Sequence, residues 1–566
     1  MTEKQRQWFY RTRDPEFLWK LGIGLVLAGF VLGWLADGLA RVTKARQTGD
    51  SSLENVALAL GGSTGETDIW ASLETLARTD FDAFLATLPA VYNFTGPFDI
   101  GHGLFPAGHA FSDDPEAVNT RLAILRQQRA EAREKLLALK PGPDEGTTAL
   151  RFWDAMAEAG AQEDAADPQG RAIGELRVAA EAPEPARHAN WAWALYLGLR
   201  GQVEERRAAL EREARLFPEA ERARQALVGD LVRHDPDKLA PLLEDPVFKE
   251  ENTPGLRMVL AKQRHDWGTV FLLVPLVIGW DTGSAVLAIF SGAVWFTLLL
   301  RFAQTPRIRH PRTGLGLLAV VLGVLSVWPT IWCVIYQEAV WDFTEDSADL
   351  LQNMKYYIAG VALREELCKL LLFAPLGIYL ARDGDGVEIL ALAGCVGLGF
   401  AVQENINYFT GEVSAVTVGR FLTANVMHIM LTGILGLSFC RAIRHPAAIG
   451  DLLGTFTIMV MAHGLYDLLL TTEVLGDYAF LYVAVLVYLS YQYFGSLHNL
   501  LDRPTRYIYS LSSIFIGGLA LIFSFTLVVL AFRYGIKTSA TSMYFGALAD
   551  AILIIVFLRQ FREVKA

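Results

Sequence analysis

Glu365 and Glu366 stand side by side in Arg364-Glu365-Glu366-Leu-Cys-Lys369, inside a stretch otherwise apolar enough to cross a membrane. Three interruptions of the same kind follow: Glu404-Asn405 after Gly399-Phe400-Ala401-Val-Gln, Asn425 with His428, and His463 with Tyr466 and Asp467. A charged side chain at the bilayer centre costs about 2.5–3.5 kcal/mol even on the lenient insertion scale, so each needs a partner or a task. Residues three or four apart on a helix share a face. Glu365 can therefore pair with Lys369, and Asn425 shares a face with His428. Asp467 lies one turn beyond His463, where a carboxylate can fix the tautomer of an imidazole.

This set has a defined chemistry. Two adjacent carboxyl groups can hold one proton between them, one acting as base and the other as acid or hydrogen-bond donor. The imidazoles can share proton transfer or stabilise an oxyanion, and Asn405 or Asn425 can donate a hydrogen bond to one. Together they suit hydrolysis of an amide by activated water. Glu366, Glu404, His428 and His463 also form a plausible set of zinc ligands, although no His-Glu-x-x-His helix occurs. Each residue has a plainer reading as well. A single intramembrane His428 is often only an interhelical hydrogen-bonding group. Glu365 and Glu366 could mark a helix end at the headgroups, Arg364 suits pairing or topology, and Gly399-Phe400-Ala401 suits close packing. Four such coincidences on four successive spans at one depth weigh against the plainer readings.

The elements that must position these groups follow from composition. The chain has 566 residues, 52% hydrophobic and 20% charged, with a mean hydropathy of +0.29. The apolar residues concentrate after Trp267, in stretches of about 20 residues, the length a helix needs to cross the hydrocarbon core. Spans are expected near 282–302, 314–337, 354–380, 388–409, 416–440, 447–471, 476–495, 507–532 and 541–559. With a first apolar run at Leu21–Leu35 this predicts an all-α polytopic membrane protein of about ten transmembrane helices. The run Gly268–Trp280, ended by Asp281, is too short to count and reads as interfacial or re-entrant.

Three regions are expected: an N-terminal tail and signal anchor at 1–40, a charged, Ala-rich helical soluble domain at 41–266, and a multi-span domain at 267–566 with the reactive residues at about 350–470. Within the soluble region, Trp191–Arg200 followed by Glu204–Pro218 has the aromatic, Gly and Pro placing of one tetratricopeptide-like unit. No second copy occurs at a fixed period, so a helical bundle is expected.

Loop charges set the expected orientation, because Lys and Arg in short loops collect on the cytoplasmic side. Arg301, Arg307, Arg309 and Arg312, then Arg382, then Arg441 and Arg444, then Arg503 and Arg506, and finally Arg559, Arg562 and Lys565 fall on one side. Arg533 and Lys537 are the exception. Both termini are then cytoplasmic, the 41–266 domain is extracytoplasmic, and Glu365, Glu404, His428 and His463 lie in the outer half of a bacterial inner membrane. The net charge of -11 argues against a nucleic-acid partner. Only four cysteines occur, all in apolar segments, which argues against a disulfide-stapled secreted fold.

The motifs Glu365-Glu366-x-x-Lys369, Gly399-Phe400-Ala401-x-x-Glu404-Asn405, His428 and His463-x-x-Tyr466-Asp467 resemble the PrsW family of intramembrane proteases, relatives of the CAAX prenyl endopeptidase and bacteriocin-processing superfamily. The resemblance implies a multi-helix core that cuts a membrane-anchored protein, such as an anti-sigma factor, from the extracytoplasmic side. It implies water activation by Glu365 and Glu366, with Glu404, His428 and His463 as catalytic partners or ligands, and Lys369, Asn405, Asn425 and Asp467 in support. It leaves open whether zinc or a glutamate activates the water. The soluble domain lies outside the family pattern and is expected to bind substrate or a regulator. The competing readings are a proton-coupled transporter or channel, since intramembrane Glu, His and Asp also build proton relays, and a non-catalytic receptor or immunity protein of the same fold.

Overall fold

The computed structural model describes residues 3–44, 69–94, 130–139, 142–161, 170–280, 282–303, 310–345, 349–411, 416–501, 510–549 and 551–563. Every described element is a helix. The chain divides into two compact units, one of 1–42 with 261–566 and the other of 43–260. The loop residues Arg307, Arg309, Arg503, Arg506 and Lys565, and Asp281, lie outside the described residues.

The first unit carries the long apolar helices: α1 (Pro15–Lys44), α2 (Thr282–Phe302), α3 (Pro311–Trp341), α4 (Leu363–Asp383), α5 (Gly386–Gly411), α6 (Val416–Leu422), α7 (Ala424–Arg444), α8 (Ile449–Thr471), α9 (Tyr482–Leu500) and α10 (Leu511–Tyr534). Eight candidate spans among the described residues are long and apolar enough to cross a membrane, α6 and α7 counting as one. The protein is therefore a multi-pass, all-α membrane protein. Helix α4 falls outside those eight, because Arg364, Glu365, Glu366 and Lys369 crowd its first two turns. The last expected span, 541–559, is described as two shorter helices, Ile536–Ala549 and Ala551–Glu563, with Asp550 outside the described residues.

Trp267–Val277 forms an 11-residue helix. At 1.5 Å per residue it is about 16 Å long, roughly half the hydrocarbon thickness, so it does not span. It lies along α3, where the indole N–H groups of Trp328 and Trp332 donate to the carbonyls of Phe271 and Trp267 at 2.6 and 3.0 Å.

Helix α5 is the axis of this unit: it packs against α2, α3 and α7 and is buried along most of its length. Small residues make that possible, since helices in lipid associate by close backbone approach rather than by hydrophobic exclusion. A Cβ at Gly397 would sit 2.1 Å from the His428 carbonyl oxygen on α7, and one at Gly399 would sit 2.0 Å from that of Val320 on α3. Helix α1 closes the bundle against α10, where the Ser524 hydroxyl donates to the Leu25 carbonyl at 2.9 Å.

The second unit is a separate helical bundle with its own core of Leu, Phe, Ala and Trp side chains. Ala189–Leu199 and Val203–Leu216 pack as a hairpin over the stretch that resembles a repeat unit, turning at Gly201 with φ +69°.

Candidate functional site

Helix α4 does not begin at the carboxylate pair. It continues a helical run through Leu350–Met354 and a π-helical turn, Lys355–Ala362, so Glu365 and Glu366 lie within a continuous helix rather than at a frayed end. Such wide turns are frequent at functional sites. Helix α8 meets this turn closely: a Cβ at Gly464 would lie 2.7 Å from Ile358 Cα, so the absence of a side chain there brings His463 up to α4.

Lys369 is the hub. Its ammonium is fully buried and donates to Glu366 Oε1 at 2.8 Å, to Glu365 Oε2 at 3.3 Å and to His428 Nδ1 at 2.9 Å. It also lies 4.0 Å from the Phe400 ring centroid, so Phe400 adds a cation–π contact to its packing role. An ammonium has donors only. His428 must therefore accept through Nδ1 and carry its proton on Nε2, which donates to Glu404 Oε2 at 3.0 Å.

His463 faces the other side of the carboxylate pair. Its Nδ1 lies 2.9 Å from Glu366 Oε1, and its Nε2 lies 3.3 Å from Asp467 Oδ2 and 3.7 Å from Glu365 Oε2. The intrahelical expectation of His463 over Asp467 is realised. The two imidazole rings stand edge to face, 5.2 Å apart. Glu366 is sealed, whereas the Glu365 side chain keeps 11% exposure.

Asn405 and Asn425 are fully buried. Asn405 Nδ2 donates to Asn425 Oδ1 at 2.8 Å, and Asn425 Nδ2 donates to Ser291 Oγ on α2 at 2.7 Å. The two amides tie α2, α5 and α7 together. Although Asn425 and His428 share a helix, their polar atoms serve different partners. Arg364 reaches Gln337 on α3 at 2.7 Å, a pairing role.

One site residue, Arg420 on α6, carries no motif. Its Nη2 donates to Glu404 Oε2 at 2.8 Å and its Nε to Asn405 Oδ1 at 2.6 Å. The signal available in the sequence was an arginine inside a span with no acidic residue three or four positions away on its own helix, which requires a partner on another.

Residues 311–491 match the family model described as PrsW family intramembrane metalloprotease. The resemblance carried by the motifs thus holds over a longer segment, from the start of α3 into α9. All nine residues singled out from the sequence fall in the matched stretch, as does Arg420. No curated protein and no solved structure matches the chain. The match supports an intramembrane protease acting within the bilayer on a membrane-embedded protein.

The family description implies a metal, and a carboxylate and two imidazoles do converge, but the carboxylate is Glu365 rather than the expected Glu366 and Glu404, whose oxygens serve Lys369 and His463, and Arg420 and His428, respectively. Among the described residues, Glu365, His428 and His463 offer ligand atoms that all lie within 4.8 Å of one another, a carboxylate and two imidazoles. That chemistry is typical of catalytic zinc with an open position. Charge agrees, because among the described residues Glu365, Glu366, Glu404 and Asp467 share two permanent cations, Lys369 and Arg420. Glu366 Oε2 is buried and has no hydrogen-bond partner in this arrangement.

Proposed function

We propose that the protein hydrolyses a peptide bond of a membrane-anchored protein near the extracytoplasmic face, with Glu365 activating the attacking water. The difference between the two adjacent carboxylates carries this reading. Glu366 is sealed and its Oε1 serves both Lys369 and His463, while Glu365 keeps an edge exposed 3.7 Å from His463 Nε2. Glu365 takes the proton as the water oxygen attacks the carbonyl carbon. His463, oriented through Nδ1 by Glu366, passes a proton to the leaving amide nitrogen. Lys369 sets a fixed positive charge against the developing oxyanion. Glu404 and His428 hold the opposite wall of the site. With a divalent ion bound, Glu365, His428 and His463 would instead serve as its ligands, His428 giving up its bond to Lys369 or to Glu404, and the ion would supply a Lewis acid and a more acidic water in place of the Glu365 base. A single-span regulatory protein such as an anti-sigma factor is the substrate class we assign.

Membrane-proteome fragments are compared in cells expressing wild type, Glu365→Gln or Glu366→Gln, and the purified proteins are assayed with and without chelator. Glu365→Gln should lose cleavage by on the order of 10²–10⁴-fold, the scale of general-base catalysis, with an unchanged unfolding midpoint. Glu366→Gln should lose both, since Lys369 and His463 share its oxygen. Wild-type fragment patterns from folded Glu365→Gln would remove this mechanism. Loss of cleavage on chelation would assign the water to a metal rather than to Glu365 alone.

A further inference from the structure

We infer that Arg420 is a positioning residue of this site, acting through Glu404 to hold His428 in its working orientation. The inference rests on the proteolytic reading for its rate readout, and on geometry alone for its spectroscopic one.

Arg420 belongs to the short helix α6, separated from α7 by a break at Thr423. Its guanidinium reaches across to three residues of α5. Nη2 donates to Glu404 Oε2 at 2.8 Å, Nε donates to Asn405 Oδ1 at 2.6 Å, and the guanidinium carbon lies 3.7 Å from the centroid of the Tyr408 ring. Two donors and a ring contact fix both the position and the plane of the group, which a lysine cannot reproduce.

What is fixed in turn is Glu404. Its side chain is 25% exposed, so its own burial does not lock it. The same oxygen, Oε2, receives the Arg420 Nη2–H and the His428 Nε2–H. Since Lys369 occupies His428 Nδ1, the imidazole is oriented from both ring nitrogens: by a buried ammonium on one side, and by a carboxylate that Arg420 holds on the other. Arg420 also bonds the amide chain Asn405–Asn425–Ser291, so it links the groups that brace the helices to the groups that carry protons.

Partners that orient a reacting imidazole typically contribute 10–100-fold in activity or metal affinity. The full-length protein in lipid nanodiscs is assayed on a cleaved single-span substrate as wild type, Arg420→Lys, Arg420→Gln, Glu404→Gln and the double Arg420→Gln/Glu404→Gln. Arg420→Gln and Glu404→Gln should each lower kcat about 10–100-fold with KM within about twofold. Arg420→Lys should fall between them and wild type. The double variant should be no slower than the slower single one, because both act through one link. A purely structural arginine would lower the folded fraction and leave kcat per folded molecule intact. A substrate-binding arginine would raise KM and leave kcat intact. Either result overturns the inference.

The second readout needs no activity: the ¹⁵N resonances of His428 in selectively labelled protein. Metal-free wild type should show the proton on Nε2, and metal-free Arg420→Gln should shift or broaden those signals while His463 is unaffected. Identical His428 spectra in the two proteins would overturn the inference whatever the cleavage assay gives. Full activity of Glu365→Gln would remove the proteolytic mechanism without touching this result.

Discussion

Removing the Lys369 ammonium tests the electrostatic core most directly. Lys369→Met keeps the aliphatic stem and deletes the donor to Glu366 at 2.8 Å, to Glu365 at 3.3 Å and to His428 at 2.9 Å. Glu365 is buried except for a small accessible edge, but Glu366 is sealed and keeps only the His463 contact. Breaking one partner out of a buried ion pair costs about 3–5 kcal/mol, because the other charge is left without compensation. That is roughly a hundred- to five-thousand-fold in the folding equilibrium, and a large fraction of a domain's total stability of about 5–15 kcal/mol. Removing both charges clears the sealed Glu366 and leaves only Glu365, at the longer 3.3 Å contact, and His428 without the ammonium, so Lys369→Met/Glu366→Gln should recover about 2 kcal/mol or more of the loss while staying inactive. Reversible unfolding in mixed detergent, followed by tryptophan fluorescence, gives both numbers. Lys369→Met within about 1 kcal/mol of wild type, or a double variant no more stable than the single one, would refute the hub assignment.

Two other expectations address packing and pH. Gly397→Ala would place a Cβ 2.1 Å from the His428 carbonyl oxygen, a clash between two backbones that only separation of α5 and α7 relieves. It should cost about 1–3 kcal/mol and most of the cleavage activity, whereas Gly450→Ala, with nothing within 4 Å of the new carbon, should change neither. In the second unit, burial pushes the Glu213 carboxyl above its ordinary value of 4.5, against the backbone N–H of His188 that donates to it at 2.7 Å. A raised folded value means that the protonated acid is the form the fold favours. Its stabilising contribution is present at acid pH and is lost as pH rises through the folded value. Glu213→Gln keeps an acceptor for that N–H and cannot ionise. Its unfolding midpoint relative to wild type should therefore be highest at neutral pH and decline toward pH 4.5. A difference that does not vary with pH would show that Glu213 ionises without cost.

Sequence alone determined which helices carry the buried polar residues and how groups on the same helix relate. A run of apolar residues reports a span because the hydrocarbon core admits little else. Within a helix, spacing fixes neighbours, so Glu365 with Lys369 and His463 with Asp467 were legible before any tertiary contact was known. The short Trp267–Val277 helix was legible by the same length argument. Tertiary structure decided everything that passes between helices. Nothing local places Lys369 against a histidine 59 residues away, or Arg420 between Glu404 and Asn405. Those contacts depend on how each helix is rotated and how deep it sits, which side-chain-free approaches at Gly397 and Gly464 set. The two neighbouring glutamates show the limit most plainly. They are chemically identical and adjacent in sequence, and adjacent helix positions point about 100° apart. Only the packing of α7 and α8 around α4 makes one a sealed anchor and leaves the other an exposed edge.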